Sequence, residues 1–182
     1  MNLQLGTLKI SPVSEHLDLL GKPVADALLN FPEAGEIGVA EIDPTISDTA
    51  IFCETYHIPI KQAANCVVLE AKREDKSWFA ACVILGSTRA DVNGLARKAL
   101  DVRRLSFAPM EKALTATGME YGAITPLGLP SDWIILIDKA VIDTDIVTMG
   151  SGYRKSKLVL PGRLLASLPN VKIVEGLGKA VV

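Results

Sequence analysis

The sequence predicts an α+β fold, a mixed α/β arrangement in which one central, mostly antiparallel mixed sheet is flanked by short helices. Three observations carry this reading. Apolar β-rich runs and short helical patterns are interspersed along the 182 residues. Their spacing is too irregular for the repeated βαβ units of a doubly wound sheet. Two long apolar runs separated by a charged stretch give a hairpin signal, which brings antiparallel pairing into the sheet.

Taken in order, Ser11-Pro12 reads as the N-cap and first residue of a short helix ending at Gly21. Pro23 opens a second helix through Leu28 and Leu29, broken at Phe31-Pro32. Glu36 to Ile42 alternates and reads as a strand closed by Asp43-Pro44. Ser47 or Asp48 caps a helix carrying Ile51, Phe52 and Tyr56. The hairpin joins Cys66–Glu70 to Trp78–Leu85 across Lys72-Arg73-Glu74-Asp75-Lys76. A helix over Asp91–Leu100, a strand over Arg104–Phe107 and a helix over Pro109–Thr117 ending at Gly118 follow. Beyond a Gly- and Pro-rich stretch, Trp133–Ile137, Ile146–Met149 and Leu158–Leu160 read as strands. Pro161–Leu168 reads as a short helix and Val171–Val174 as a last edge strand.

Composition narrows the function classes. Apolar residues make up 49% and charged residues 22%, which excludes a disordered chain. No apolar run approaches the roughly 20 residues that span a bilayer. The first residues lack a basic segment followed by an apolar one, so no secretory signal is expected. Cys53, Cys66 and Cys82, an odd set at wide spacing, fit neither a disulfide framework nor a zinc site and suit a reducing cytoplasm. The net charge of −2 argues against a dedicated duplex binder, but the charge is uneven: residues 1–60 carry −7, residues 61–146 sum to zero and residues 147–182 carry +5. The basic C-terminal fifth, widened by Arg97, Lys98, Arg103 and Arg104, reads either as a polyanion-binding surface or as a solvated face balancing the acidic N-terminal part.

The sequence lacks a Walker loop, a G-x-G-x-x-G fingerprint, an H-E-x-x-H helix and a G-x-S-x-G elbow. His16 and His57 are too far apart in sequence to suggest a metal pair, and each reads as structural. No metal ion or cofactor is expected. The segment Gly122-Ala123-Ile124-Thr125-Pro126 is a loop whose bare backbone N–H groups suit a carbonyl oxygen that becomes an oxyanion, although Gly and Pro also punctuate ordinary loops. Gly150-Ser151-Gly152 is a second Gly-bearing segment, after one strand and before another.

In this order, Thr117-Gly118, Gly122 through Gly128, and Gly150-Ser151-Gly152 with Arg154 resemble the YbaK/ProX family of aminoacyl-tRNA editing domains. Asp43-Pro44, the helix after it, and Gln62 before an apolar strand add upstream support. The resemblance spans about residues 35–170. It divides the chain into an N-terminal helical extension, 1–34, and an editing domain, 35–182. It implies a stand-alone deacylase that hydrolyses the ester of mischarged tRNA in the cytoplasm. Its partners would be aminoacyl-tRNA and an aminoacyl-tRNA synthetase, and the Gly122–Pro126 loop with Gly150, Ser151 and Gly152 would form the substrate site. The family carries a Lys at the start of the strand after Gln62, where this chain has Asn65, and a Thr where it has Cys66. Some members place an acid on the strand after the second Gly-rich segment, where this chain has Lys157. Asn65 and Lys157 are therefore the expected catalytic pair, with the cation moved to the opposite wall. A non-catalytic binder of tRNA 3′ ends or aminoacyl groups, and a small-molecule hydrolase or binding domain without an RNA partner, are the alternative readings.

Overall fold

In the computed structural model, which describes residues 3–46 and 48–181, eleven strands and five α-helices are joined by short 3-10 turns and one π-helical turn over Val92–Ala96, which leads into the third α-helix. The chain runs β1 (Ile10–Pro12), α1 (Lys22–Leu28), β2 (Gly38–Glu41), α2 (Thr49–Thr55), β3 (Ala64–Arg73), β4 (Lys76–Leu85) and β5 (Thr88–Ala90). It continues through α3 (Arg97–Ala99), β6 (Arg104–Phe107), α4 (Met110–Thr117), β7 (Ile134–Asp138), α5 (Lys139–Ile142), β8 (Val147–Gly150), β9 (Ser156–Leu160), β10 (Val171–Val174) and β11 (Gly178–Ala180).

The fold is α+β, as expected, but its strands divide between two main sheets rather than one. A five-stranded mixed sheet has the order β10-β7-β4-β3-β6, in which β7 runs parallel to both β4 and β10. A four-stranded antiparallel sheet has the order β1-β2-β9-β8. The two adjoin at a single parallel bridge between Ala63 and Thr148. Val171–Val174 is an edge strand, but not the last one: β11 follows it and pairs with β5.

The β3–β4 hairpin reads as near-continuous apolar sequence because its sheet is covered on both faces. Ala81, Val83, Ile135 and Ile137 face a core shared with Val24, Leu28, Met149, Leu158 and Leu160. Ala80, Cys82, Ile84 and Leu136 face a second core with Ala96, Leu100, Leu105 and Leu177. A third cluster holds Phe52, Cys53, Ile58, Ala63 and Val159 beneath α2.

The helix expected from Ser11-Pro12 is not formed. Both residues lie in β1, opposite Val39 and Gly38, and two 3-10 turns follow. A proline needs no N–H partner on an edge strand, so the same Ser-Pro signature serves there as well as at a helix start. The second helix does open at Pro23. Residues 10–34 contribute β1 to the four-stranded sheet and Val24 and Leu28 to the largest core. Of the two candidate caps for α2, Asp48 accepts from the backbone N–H of Ala50 (2.8 Å) and Ile51 (3.1 Å), whereas Ser47 lies outside the described residues. Among the described residues, no helix is long and apolar enough to cross a membrane.

Candidate active site

The cleft begins as a break in strand pairing along β3. One edge of β3 pairs with β4 from Ala64 to Arg73. On the other edge β6 covers only Leu69 to Lys72, and β8 touches only at Ala63. Between them, residues 64–68 have no neighbouring strand on this edge among the described residues, and they line a cleft of ≈ 640 Å³. The N-terminus of α2 closes one side, with Asp48 and Thr49. The end of β6 and α4 close another with Phe107, Met110 and Leu114. Tyr121, Gly122 and Ile124 form a third, and Gly150 and Lys157 complete the wall from the second sheet.

The two glycine-bearing segments pack against each other. Ala123 is buried; its N–H donates to the Glu120 carbonyl (3.0 Å) and its own carbonyl accepts from Gly152 N–H (2.8 Å). A Cβ on Gly150 would overlap the Ala123 carbonyl and come within 2.7 Å of the Ile124 carbonyl oxygen, so β8 needs glycine where the loop crosses it. Gly122 has φ +77°, a left-handed conformation that side chains disfavour. The N–H groups of Gly122 and Ile124 donate to no described residue, while those of Ala123 and Thr125 turn inward, the latter to Met119 Sδ at 3.5 Å.

Asn65 and Lys157 line the same cleft from different sheets. Asn65 Oδ1 accepts from Thr49 Oγ1 at 2.9 Å, which ties β3 to the first turn of α2. Lys157 sits directly opposite Gly150 in the β8–β9 pairing, and its Nζ lies 5.2 Å from the centre of the Phe52 ring. No described carboxylate pairs with it. Burial therefore holds its pKa below the ordinary lysine value, opposed by the nearby Cys53. Burial likewise pushes the Cys53 thiol up, against the pull of Lys157. Burial raises Cys66 strongly, with Cys82 beside it, and raises Cys82 to about 12. Cys66 thus lines the cleft as a protonated thiol, a poor nucleophile.

Of the residues singled out from the sequence, Asn65, Gly122, Ile124, Gly150 and Lys157 meet at the cleft. Ala123, Thr125 and Pro126 are buried behind its wall. Ser151 and Gly152 also lie behind it: Ser151 Oγ bonds to the Tyr153 and Ser156 carbonyls and to Ser156 Oγ, and Gly152 abuts Gly21. Thr49, Phe107, Met110 and Tyr121 were not anticipated. Phe107, Met110 and Tyr121 are 60%, 54% and 53% exposed, an unusual grouping of large apolar side chains around one opening. No sequence signal marks them, because each comes from a different element.

Residues 43–168, more than two thirds of the chain, match the profile of the aminoacyl-tRNA editing domain. The chain belongs to the aminoacyl-tRNA editing domain family. The matched range contains every residue of this editing-domain cleft. Solved structures share the fold at low sequence identity. A crystal structure described as a candidate trans-editing enzyme for prolyl-tRNA synthetase superimposes with TM-score 0.74 at 18% identity, covering 88% of this chain and 97% of that one. A scaffold used in computational epitope backbone grafting gives TM-score 0.75 at 16% identity, with the same coverage. The hypothetical protein APE2540 gives 0.69 at 15%, covering 78% and 90%. No curated protein matches the chain. The editing-domain family supports an aminoacyl-tRNA deacylase as the coarse activity.

Proposed function

We propose that this chain hydrolyses the ester of mischarged tRNA in trans, as an editing deacylase in the cytoplasm. The observation that carries the reading is that Gly122 and Ile124, whose amides have no partner among the described residues, line one cleft with Lys157 in an editing-domain fold. The ester carbonyl lies against the Gly122–Pro126 loop. A water attacks its carbon, and the two amides donate hydrogen bonds to the oxygen as negative charge develops on it, without reorganising as it forms. Lys157 supplies the positive charge from the β9 wall, strengthened by its partial removal from water. Asn65, fixed by Thr49, orients the ribose end or the attacking water from β3. In this reading Ala123, Thr125, Pro126, Ser151 and Gly152 set the shape of the loop from behind, and no metal ion or cofactor takes part. The partners are aminoacyl-tRNA and the synthetase whose errors are removed.

The test is deacylation of a panel of mischarged tRNAs. Turnover on one or a few of them, lost in Gly122→Ala and reduced in Lys157→Ala and Asn65→Ala, is the expected result. Absence of turnover with salt-sensitive tRNA binding would make the chain a binder of tRNA ends. Absence of both would leave a domain acting on small molecules.

A further inference from the structure

The break in pairing along β3 has a chemical consequence of its own. Two hydrogen bonds fix which backbone groups point where. Gly86 N–H donates to the Ala63 carbonyl (2.7 Å), so odd-numbered residues of this stretch direct their backbone groups toward β4. Ala108 N–H donates to the Val68 carbonyl (2.9 Å), so even-numbered residues direct theirs toward the opposite edge. The Cys66 carbonyl and the Val68 N–H therefore face the cleft side by side, an acceptor next to a donor, with no strand opposite them among the described residues. The gap is closed at one end by β6 and at the other by the Ala63–Thr148 bridge, so a peptide strand has no room to run through. A flat group with a donor beside an acceptor can bond to both of these backbone groups at once. Phe107 and Tyr121 stand exposed at its rim, where a flat ring stacks.

We infer that this edge reads the terminal nucleobase of the RNA: the Cys66 carbonyl accepts from an exocyclic amino group and the Val68 N–H donates to the neighbouring ring nitrogen. Adenine and cytosine present that donor–acceptor order; hypoxanthine, guanine and uracil present the reverse. The inference rests on the proposed deacylase reading for the ligand's class, and it adds which base edge is read and by which atoms.

The probes are adenosine 5′-monophosphate and inosine 5′-monophosphate, followed by amide chemical shifts of the whole chain. The adenosine nucleotide is expected to shift the Val68 amide, and the inosine nucleotide to bind about tenfold more weakly, because it leaves buried polar groups mispaired. Phe107→Leu is expected to weaken the adenosine nucleotide by about tenfold while keeping the preference over inosine. Equal affinities, no nucleotide binding, shifts confined to another surface, or a blocked tetrapeptide that shifts the Val68 amide where the nucleotides do not would each overturn the inference. Mischarged tRNA hydrolysed without a base preference would overturn it and leave the deacylase standing. A base preference without hydrolysis would do the opposite.

Discussion

Gly150 lies directly across the β8–β9 ladder from Lys157, so the glycine that seats the Gly122–Pro126 loop and the ammonium that faces the cleft are cross-strand neighbours. Loop position and charge position are thereby set by one pair of strands. Gly150→Ala is expected to lower stability by about 2–4 kcal/mol and to abolish turnover, because its Cβ meets backbone that cannot swing aside as a side chain would. Urea midpoints, with deacylation measured well below the transition, check it. A variant as stable and active as the parent would mean that the loop does not rest on β8.

Asn65 and Thr49 form the other cross-element contact of the cleft. Thr49→Val and Asn65→Ala each remove the same hydrogen bond, so their effects are expected to be non-additive, with a coupling of about 0.5–1.5 kcal/mol. The double-mutant cycle is read in denaturant stability and in KM. Additive losses in both would show that Asn65 acts without Thr49.

These contacts show where the sequence was legible. The β3–β4 hairpin, β6 and α4 follow from local patterns: two apolar runs around charged residues, a short β-rich run, and a helix closed by Gly118 at φ +65°. The two glycine segments were visible as segments. That Gly150 carries the loop of Gly122 is a packing fact and leaves no mark in either. The split into two sheets was hidden for the same reason, since β8 reads as a strand whether it pairs with β3 or with β9. Ser11-Pro12 failed in another way, because proline's lack of an N–H suits a helix start and a sheet edge equally. Phe107 and Tyr121 are ordinary residues until the fold brings them to one rim.

Burial raises the pKa of all three thiols, to about 12 for Cys82, so each stays protonated near neutrality. Iodoacetamide at about pH 8 is expected to leave the native chain unlabelled and to modify three sites once urea unfolds it. Mass spectrometry distinguishes the two states. Rapid native labelling of Cys66 would mean that a thiolate lines the cleft.

Lys157 gives the prediction whose sign is least intuitive. Burial depresses its folded-state pKa below the ordinary lysine value of 10.5, so the unfolded chain holds this proton more tightly than the folded one. The charged lysine therefore costs stability at neutral pH. That cost is relieved as pH rises through the folded pKa toward 10.5. Lys157→Met keeps the apolar stem over Phe52 and removes the charge. Its stability is expected to equal or exceed the parent's at pH 7, with the advantage shrinking on the alkaline side, while turnover falls by about 100-fold for loss of a charge facing the oxyanion. Urea midpoints of the two proteins across the alkaline range, set beside single-turnover deacylation rates, separate the two roles. A variant that is less stable at pH 7 with turnover intact would assign Lys157 to holding α2 in place rather than to the reaction.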